Sequence, residues 1–400
     1  MREVLTHWSQ ERRTIKQGFL ALAISTVVGM AAGIVLGSMN GLLEQLPGLL
    51  VLVPAAIGMR GAIFGALGAR LGTGILTGEY TTELRRGTFT AQNVEASILL
   101  TFVSSALGAV AARATAAAFG LQTITVWELM VVSMVGGLLS SGFILVGVLL
   151  LSSKAHRRGW NMDAIGSPLI TATGDIVTLP ALVVATFLLV DPTISAIVGV
   201  GFLALAVAAV WQGLRRSPAI VRRVVRESLP VLTYAAIVDI LAGTVLETRL
   251  DSFVTEEALL VLIPPFIANC GSVGGVLSAR LGSDLHLGLI NPRMWPEKLA
   301  ALEGSVTVLF ALAAFTGVGL IAEVASILLG FNSPGLATLV GISLMAGVLA
   351  VGLLFAVAYT AAAATYRFGL DPDDFGIPIV TATMDFLGVL CLVAAIAVFR

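Results

Sequence analysis

The ten residues GSPLITATGD, Gly166 to Asp175, recur as GIPIVTATMD, Gly376 to Asp385. Both stretches lie inside long apolar segments. A carboxylate is costly there, so an acid placed identically in two halves of a chain is first of all a functional candidate. The two acids are 210 residues apart (385 − 175). A second block keeps the same offset: VLVPAAIGMRGAIFGALGARLG (Val51 to Gly72) lies over VLIPPFIANCGSVGGVLSARLG (Val261 to Gly282). Pro54/Pro264, Gly61/Gly271, Gly65/Gly275, Arg70/Arg280 and Gly72/Gly282 coincide, and Arg12-Arg13 falls over Arg222-Arg223. Well-separated blocks in one register mark an internal duplication.

Composition sets the class. Hydrophobic residues make up 57% of the chain and charged residues 12%, with a mean hydropathy of +0.99, whereas a soluble domain carries roughly 25% charge. The chain is therefore an all-α integral membrane protein whose first partner is the lipid bilayer. A net charge of −1 offers nucleic acid nothing to bind. Cys270 and Cys391 both sit in apolar segments, so neither a disulfide framework nor a thiolate metal site follows. The polar stretch Met1 to Gln17 precedes an apolar run too long for a signal-peptide core, which reads as a retained first span.

Segments of roughly 20 apolar residues, enough to cross a bilayer, lie near 18–39, 46–68, 94–119, 126–151, 164–190, 193–212, 228–247, 256–279, 299–328, 333–363 and 376–399. With the N-terminus in the cytoplasm, all 23 Lys and Arg residues except Arg60, Arg113, Arg249 and Arg400 fall on the inner side. The positive-inside rule thus predicts a cell-membrane protein with its N-terminus in and its C-terminus out. Each copy holds five spans, and an odd number would invert a directly joined second copy. The extra segment near 193–212 corrects this, so the copies run parallel around a pseudo-two-fold axis along the membrane normal. The expected domains are a cytoplasmic tail (1–17), a first five-helix repeat (18–190), a bridging helix with a basic linker (191–227) and a second five-helix repeat (228–400), together a fused pseudo-dimer of about eleven helices.

Asp175 and Asp385 each fall about ten residues into a span, near mid-membrane at ~1.5 Å per residue. Facing carboxylates need either a retained proton or a bound cation. Mg2+ suits such a site, being held through one or two carboxylates with several waters kept. Thr171 and Thr381, one turn earlier, share the acids' helix face, with Thr173 and Thr383 nearby, while Pro168 and Pro378 free carbonyls at the helix start. A purely structural alternative is that each acid is a protonated or Arg-paired group holding helices together. The Gly-rich block reads either as close packing at Gly-x3-Gly or as a broken helix that brings Asn269 to the ion path, with Met59 at the matching position. Asp239 and Arg60 stand opposite Gly29 and Cys270 of the other copy and are expected to neutralise each other. Glu95 and Glu303, near the start of the third span of each copy, read as an inner vestibule or as interfacial caps. Asp163, Asp371, Asp373, Asp374 and Glu79 form an acidic rim best read as a solvated face, and His7, His156 and His286 make no zinc set.

The proline- and glycine-rich block ending in Arg-Leu-Gly, followed by G-x-P-x2-T-x-T-x-D, resembles the membrane domain of the MgtE and solute carrier family 41 (SLC41) divalent-cation transporters. The resemblance covers both halves apart from the tail and the bridging span. It implies a transporter and not an enzyme, with Mg2+ as the preferred cargo and Mn2+ or other divalent cations as further ones. It also implies passage along the central interface, with the intramembrane Asp as main ligand, a role falling on Asp175 and Asp385. Bacterial relatives pair five-span subunits and carry a large N domain and a CBS pair, for which the tail here is too short. A channel and a Na+- or H+-coupled exchanger both stay open. The Met59/Asn269 and Arg60/Cys270 mismatches predict only approximate two-fold coordination. An intramembrane aspartyl protease fits less well, since its acids sit in differing contexts on adjacent helices. An organic-anion carrier lacks a matching basic pair.

Overall fold

The structure, a computed structural model, describes residues 8, 12–158, 162–189, 191–293, 296–369 and 376–399. Its helices are α1 (Arg12–Ser38), α2 (Asn40–Gln45), α3 (Leu49–Thr77), α4 (Phe89–Ala118), α5 (Val126–Arg158), α6 (Met162–Thr186) and α7 (Pro192–Trp211). After a π-helical turn, Gln212–Arg216, follow α8 (Ala219–Glu247), α9 (Leu250–Thr255), α10 (Glu257–His286), α11 (Lys298–Leu329), α12 (Leu336–Phe368) and α13 (Ile377–Phe399). There is no strand among the described residues.

Ten helices among the described residues are long and apolar enough to cross a membrane, and α6 contributes a shorter apolar stretch, Thr173–Thr186. Large apolar side chains such as Leu20, Val27, Phe143 and Val184 stay exposed on these helices, as a lipid-facing surface requires. The all-α, multi-pass class is thus the observed one. Local chemistry sets several starts. Thr88 caps α4 by accepting from the Ala91 amide at 3.2 Å, and Asp191, just before Pro192, caps α7 by accepting from the Thr193 and Ile194 amides. Those two amides hold the Asp191 carboxyl below the usual carboxylate range. The Gly-rich blocks are continuous helices, not broken ones: α3 runs through Pro54, and α10 through Pro264 and Pro265.

The chain packs as two compact units, residues 41–247 and residues 1–40 with 248–400. The packing units therefore cut across the repeats. Residues 41–247 hold α3 to α6 of the first repeat, the bridging α7, and α8, which opens the second repeat. The other unit holds α10 to α13 of the second repeat and α1, which opens the first. In it, α1 packs chiefly on α10, while in residues 41–247 α8 packs on α3 and α4.

Each exchanged helix is seated by the same contact. A Cβ added to Gly33 of α1 would run into the Val261 carbonyl of α10, and one added to Gly243 of α8 into the Val51 carbonyl of α3. Both residues of the second contact are those of the first moved by 210 (243 − 33 and 51 + 210 = 261). The remaining helices repeat as well. Ser133 of α5 donates to the Ser105 carbonyl of α4, and Ser343 of α12 to the Phe315 carbonyl of α11, each at 2.7 Å.

Replacing Gly243 or Gly33 with leucine is expected to cost about 1–3 kcal/mol through overpacking. Gly201→Ala, where an added Cβ meets nothing within 4 Å, is expected to be neutral or to stabilise by about 0.5–1 kcal/mol. Unfolding midpoints in detergent check both; equal effects at 243 and 201 would remove the seating role.

Candidate functional site

In the unit formed by residues 1–40 and 248–400, Asp385 projects from α13 toward α10. Its Oδ1 stands 3.0 Å from where a Cβ on Gly271 would be, and the Cβ of Thr381 lies 3.8 Å from the same point. Glycine at 271 leaves the notch that the carboxylate occupies, and Thr381 lines it, as the one-turn spacing predicts. The Thr381 hydroxyl donates to the Pro378 carbonyl at 3.1 Å and that of Thr383 to Ile379 at 2.6 Å. With their hydrogens turned into the helix, these oxygens keep lone pairs, the donor type that a hard cation takes.

Asn269 is fully buried between α10 and α1. Its amide donates to the Thr26 hydroxyl at 3.0 Å and to the Pro265 carbonyl at 2.7 Å, and Thr26 in turn donates to the Leu22 carbonyl at 2.8 Å. The amide clamps the exchanged α1. Met59, its counterpart, is buried in α3 and meets Gly108 of α4.

Glu303 is paired with Arg280 across α11 and α10, the pair largely enclosed. In the first repeat, Arg70 donates to Asn93 at 2.8 Å. The offset matches Arg70 with Arg280 and Asn93 with Glu303 (303 − 93 = 210). Glu95, which lies near the start of the same span in the first repeat, matches Ser305 at that offset. Glu95 accepts from the Ser217 hydroxyl at 3.2 Å, and Ser305 accepts from the Trp8 indole at 3.0 Å.

In residues 41–247, Asp175 is half-buried on α6. A Cβ on the adjacent Gly174 would lie 3.9 Å from both the Gly61 nitrogen and the Arg60 Cβ of α3. Each repeat thus sets its acid-bearing helix on its own Gly-rich helix. The side chains of Thr171, Pro168, Asp163 and His286 lie outside the described ones, as do residues His7, Asp371, Asp373 and Asp374.

The expected Arg60–Asp239 pair is not formed. Arg60, 1% exposed, donates to Ser104 at 3.2 Å and to Ser105 at 2.7 Å on α4. Asp239 lies instead against Gly58 of α3. Space explains the choice: Gly137 of α5 leaves room for the guanidinium and Ser105, while in the other repeat the Phe315 ring sits against the matching Gly347. The two serines are a part of this arrangement that residue-by-residue reading misses. Their signal is in the offset, where Ser104-Ser105 stands over Ala314-Phe315 just as Arg60 stands over Cys270.

The family described as MgtE, divalent cation transporter, matches residues 53–185 and again 263–395, the same 210 apart (263 − 53). The chain belongs to the MgtE family. MgtE proteins form a transporter family, not an enzyme family. The chain is similar to solute carrier family 41 member 2 of Mus musculus, 25% identical over 86% of this chain and 62% of the mouse protein. It is 24% identical to member 2 of Xenopus laevis over 95% of this chain and 72% of that protein. Member 3 of Rattus norvegicus is 23% identical over 94% of this chain and 85% of its own length. The chain thus spans less than two thirds of the mouse relative's length, and no solved structure matches it.

The two repeat-related pairs predict separate effects at Glu303. Glu303→Ala takes away the carboxylate paired with the largely enclosed Arg280 and is expected to cost about 3–5 kcal/mol. Glu303→Asn, which copies Asn93, is expected to cost clearly less. Denaturation of the two variants in detergent checks this, and equal losses would mean that the ion pair, not the enclosure of Arg280, matters.

Proposed function

We propose that the chain moves divalent cations across the membrane, Mg2+ foremost and Mn2+ as a further cargo, with Asp175 and Asp385, one in each repeat, as the ion-binding carboxylates. The observation that carries this reading is the Asp385 carboxylate over the side-chain-free Gly271, with Thr381 lining the same notch, in a chain of the MgtE family. In a low-dielectric span, a carboxylate beside hydroxyl oxygens offers an incoming cation a partial replacement for water without requiring full dehydration, which suits Mg2+.

Supporting roles follow the geometry. Thr381, and Thr171 by repetition, supply hydroxyl oxygens near the acids. Asn269 holds α1 on α10 and so keeps Gly271 in register. Glu303 with Arg280, and Glu95 with Ser217, position the inner ends of α11 and α4. The tandem repeats stand in for two subunits, with the N-terminus in the cytoplasm and the C-terminus outside.

Mg2+ flux into proteoliposomes, read by an enclosed dye, is expected with the wild-type protein and is expected to collapse in Asp175→Asn and in Asp385→Asn. Unchanged flux in both variants would remove the acids from the path. Millimolar Mg2+ is expected to raise the melting temperature by preferential binding to the folded state, worth about 2.7 kcal/mol at a hundredfold excess over Kd. Gly271→Ala, which drives a methyl group toward Asp385, is expected to shrink that shift. Equal shifts with Ca2+, Mn2+ and Mg2+ would withdraw the preference for Mg2+.

A further inference from the structure

Asp239 of α8 is an acid that the proposed ion path does not use. It is 1% exposed inside the span Ala219–Glu247, and its Oδ1 has no hydrogen-bond partner among the described residues. Its carboxylate fits against α3 only because residue 58 is glycine, since any side chain there would meet Oδ2. The other repeat closes the same place differently. Gly29, the counterpart of Asp239 (239 − 210), packs directly on α10, where an added Cβ would come within 2.6 Å of the Pro265 Cα. Ala268 stands where the first repeat has Gly58. One unit therefore keeps room for an acid that the other unit does without.

Charged side chains on the helices packed against α8 are engaged elsewhere. On α3, Arg60 donates to Ser104 and Ser105, and Arg70 donates to Asn93. On α4, Glu95 accepts from Ser217, and Arg113 donates to Thr123 at 2.8 Å. On α8 itself, Arg223 pairs with Glu227, Arg222 donates to the Ser217 carbonyl and Glu247 accepts from the Gly48 amide. No ion pair reaches Asp239 among the described residues.

We propose that Asp239 is an intramembrane proton-binding site that loads and unloads one proton in each transport cycle, exchanging H+ for the divalent cation. The proposal rests on the transport reading above. An ionised carboxylate enclosed without a partner is costly, whereas a proton neutralises it and needs no further ligand. A divalent cation needs several oxygens around it, and the face that Asp239 meets on α3 is Gly58, which offers no side-chain oxygen. The tight Gly243–Val51 seat lies one turn beyond Asp239 on the same two helices. Parting α8 from α3 admits water, to which the carboxyl gives up its proton. After the helices close and part toward the opposite side, the carboxylate takes a proton from the water there.

The test follows Mg2+ and H+ together, in proteoliposomes holding a Mg2+ dye and a pH dye. Wild-type protein is expected to move protons opposite to Mg2+, and Asp239→Asn to lower the proton-to-Mg2+ ratio about tenfold or more, with Asp239→Glu restoring it. Wild-type Mg2+ flux without proton movement, or an unchanged ratio in Asp239→Asn, overturns the proposal while leaving the transport reading intact. Absence of wild-type Mg2+ flux overturns the transport reading, and the proposal with it. Infrared spectra of the folded protein decide the case in which Asp239→Asn stops Mg2+ flux altogether. A protonated-carboxyl C=O band present in wild type, and exchanged when pH is stepped under Mg2+, is expected to vanish in the variant, and its persistence in the variant or absence from wild type overturns the proposal.

Discussion

Glycine meeting a carbonyl is the contact on which this architecture depends. Lipid chains are as apolar as leucine, so helices in a bilayer are held by close packing and polar contacts, not by escape from water. Gly33 against Val261 and Gly243 against Val51 bring two backbones together at a distance no side chain permits. These contacts seat α1 on α10 and α8 on α3. Both receiving helices carry the glycines over which the acid-bearing helices lie, so the notch at Gly271 and the approach of Gly174 to Gly61 inherit their register from the same seats.

The two repeats share a backbone plan and differ in how they handle enclosed charge. Arg60 is accommodated by two serines and a glycine where the other repeat places Cys270, Ala314 and a phenylalanine ring. Arg280 has a carboxylate partner where Arg70 has an amide. Each difference is local and compensated by its neighbours: the guanidinium occupies space that an aromatic ring fills in the other copy. Duplication supplies the scaffold, and paired substitutions then give each half its own electrostatics.

Much of this was legible from the residues alone. Long apolar runs identify the spans, and a fixed offset identifies the repeats. The face shared by Thr381 and Asp385 follows from helical spacing. The exchange of first helices was not legible, because α1 and α8 resemble each other as openings of equivalent repeats, and nothing in either says which copy it packs on. Arg60 and Asp239 were paired from depth and opposite charge, but depth does not give rotation about a helix axis, and the guanidinium turns toward Ser104 and Ser105. Glu95 and Glu303 share their nearness to a span start, while the offset sets Asn93 over Glu303.

The exchanged first helix also sets an order on biosynthesis. Residues 41–247 form a unit that is complete once α8 has been made, whereas α1 is synthesised ahead of that unit and its seat on α10 ends only at His286. At ~5–20 residues per second, α1 waits on the order of 12–50 s for its partner. The whole intervening unit assembles during that interval, before the seat for Gly33 exists. A helix made ahead of the whole intervening unit is thus locked in place after it.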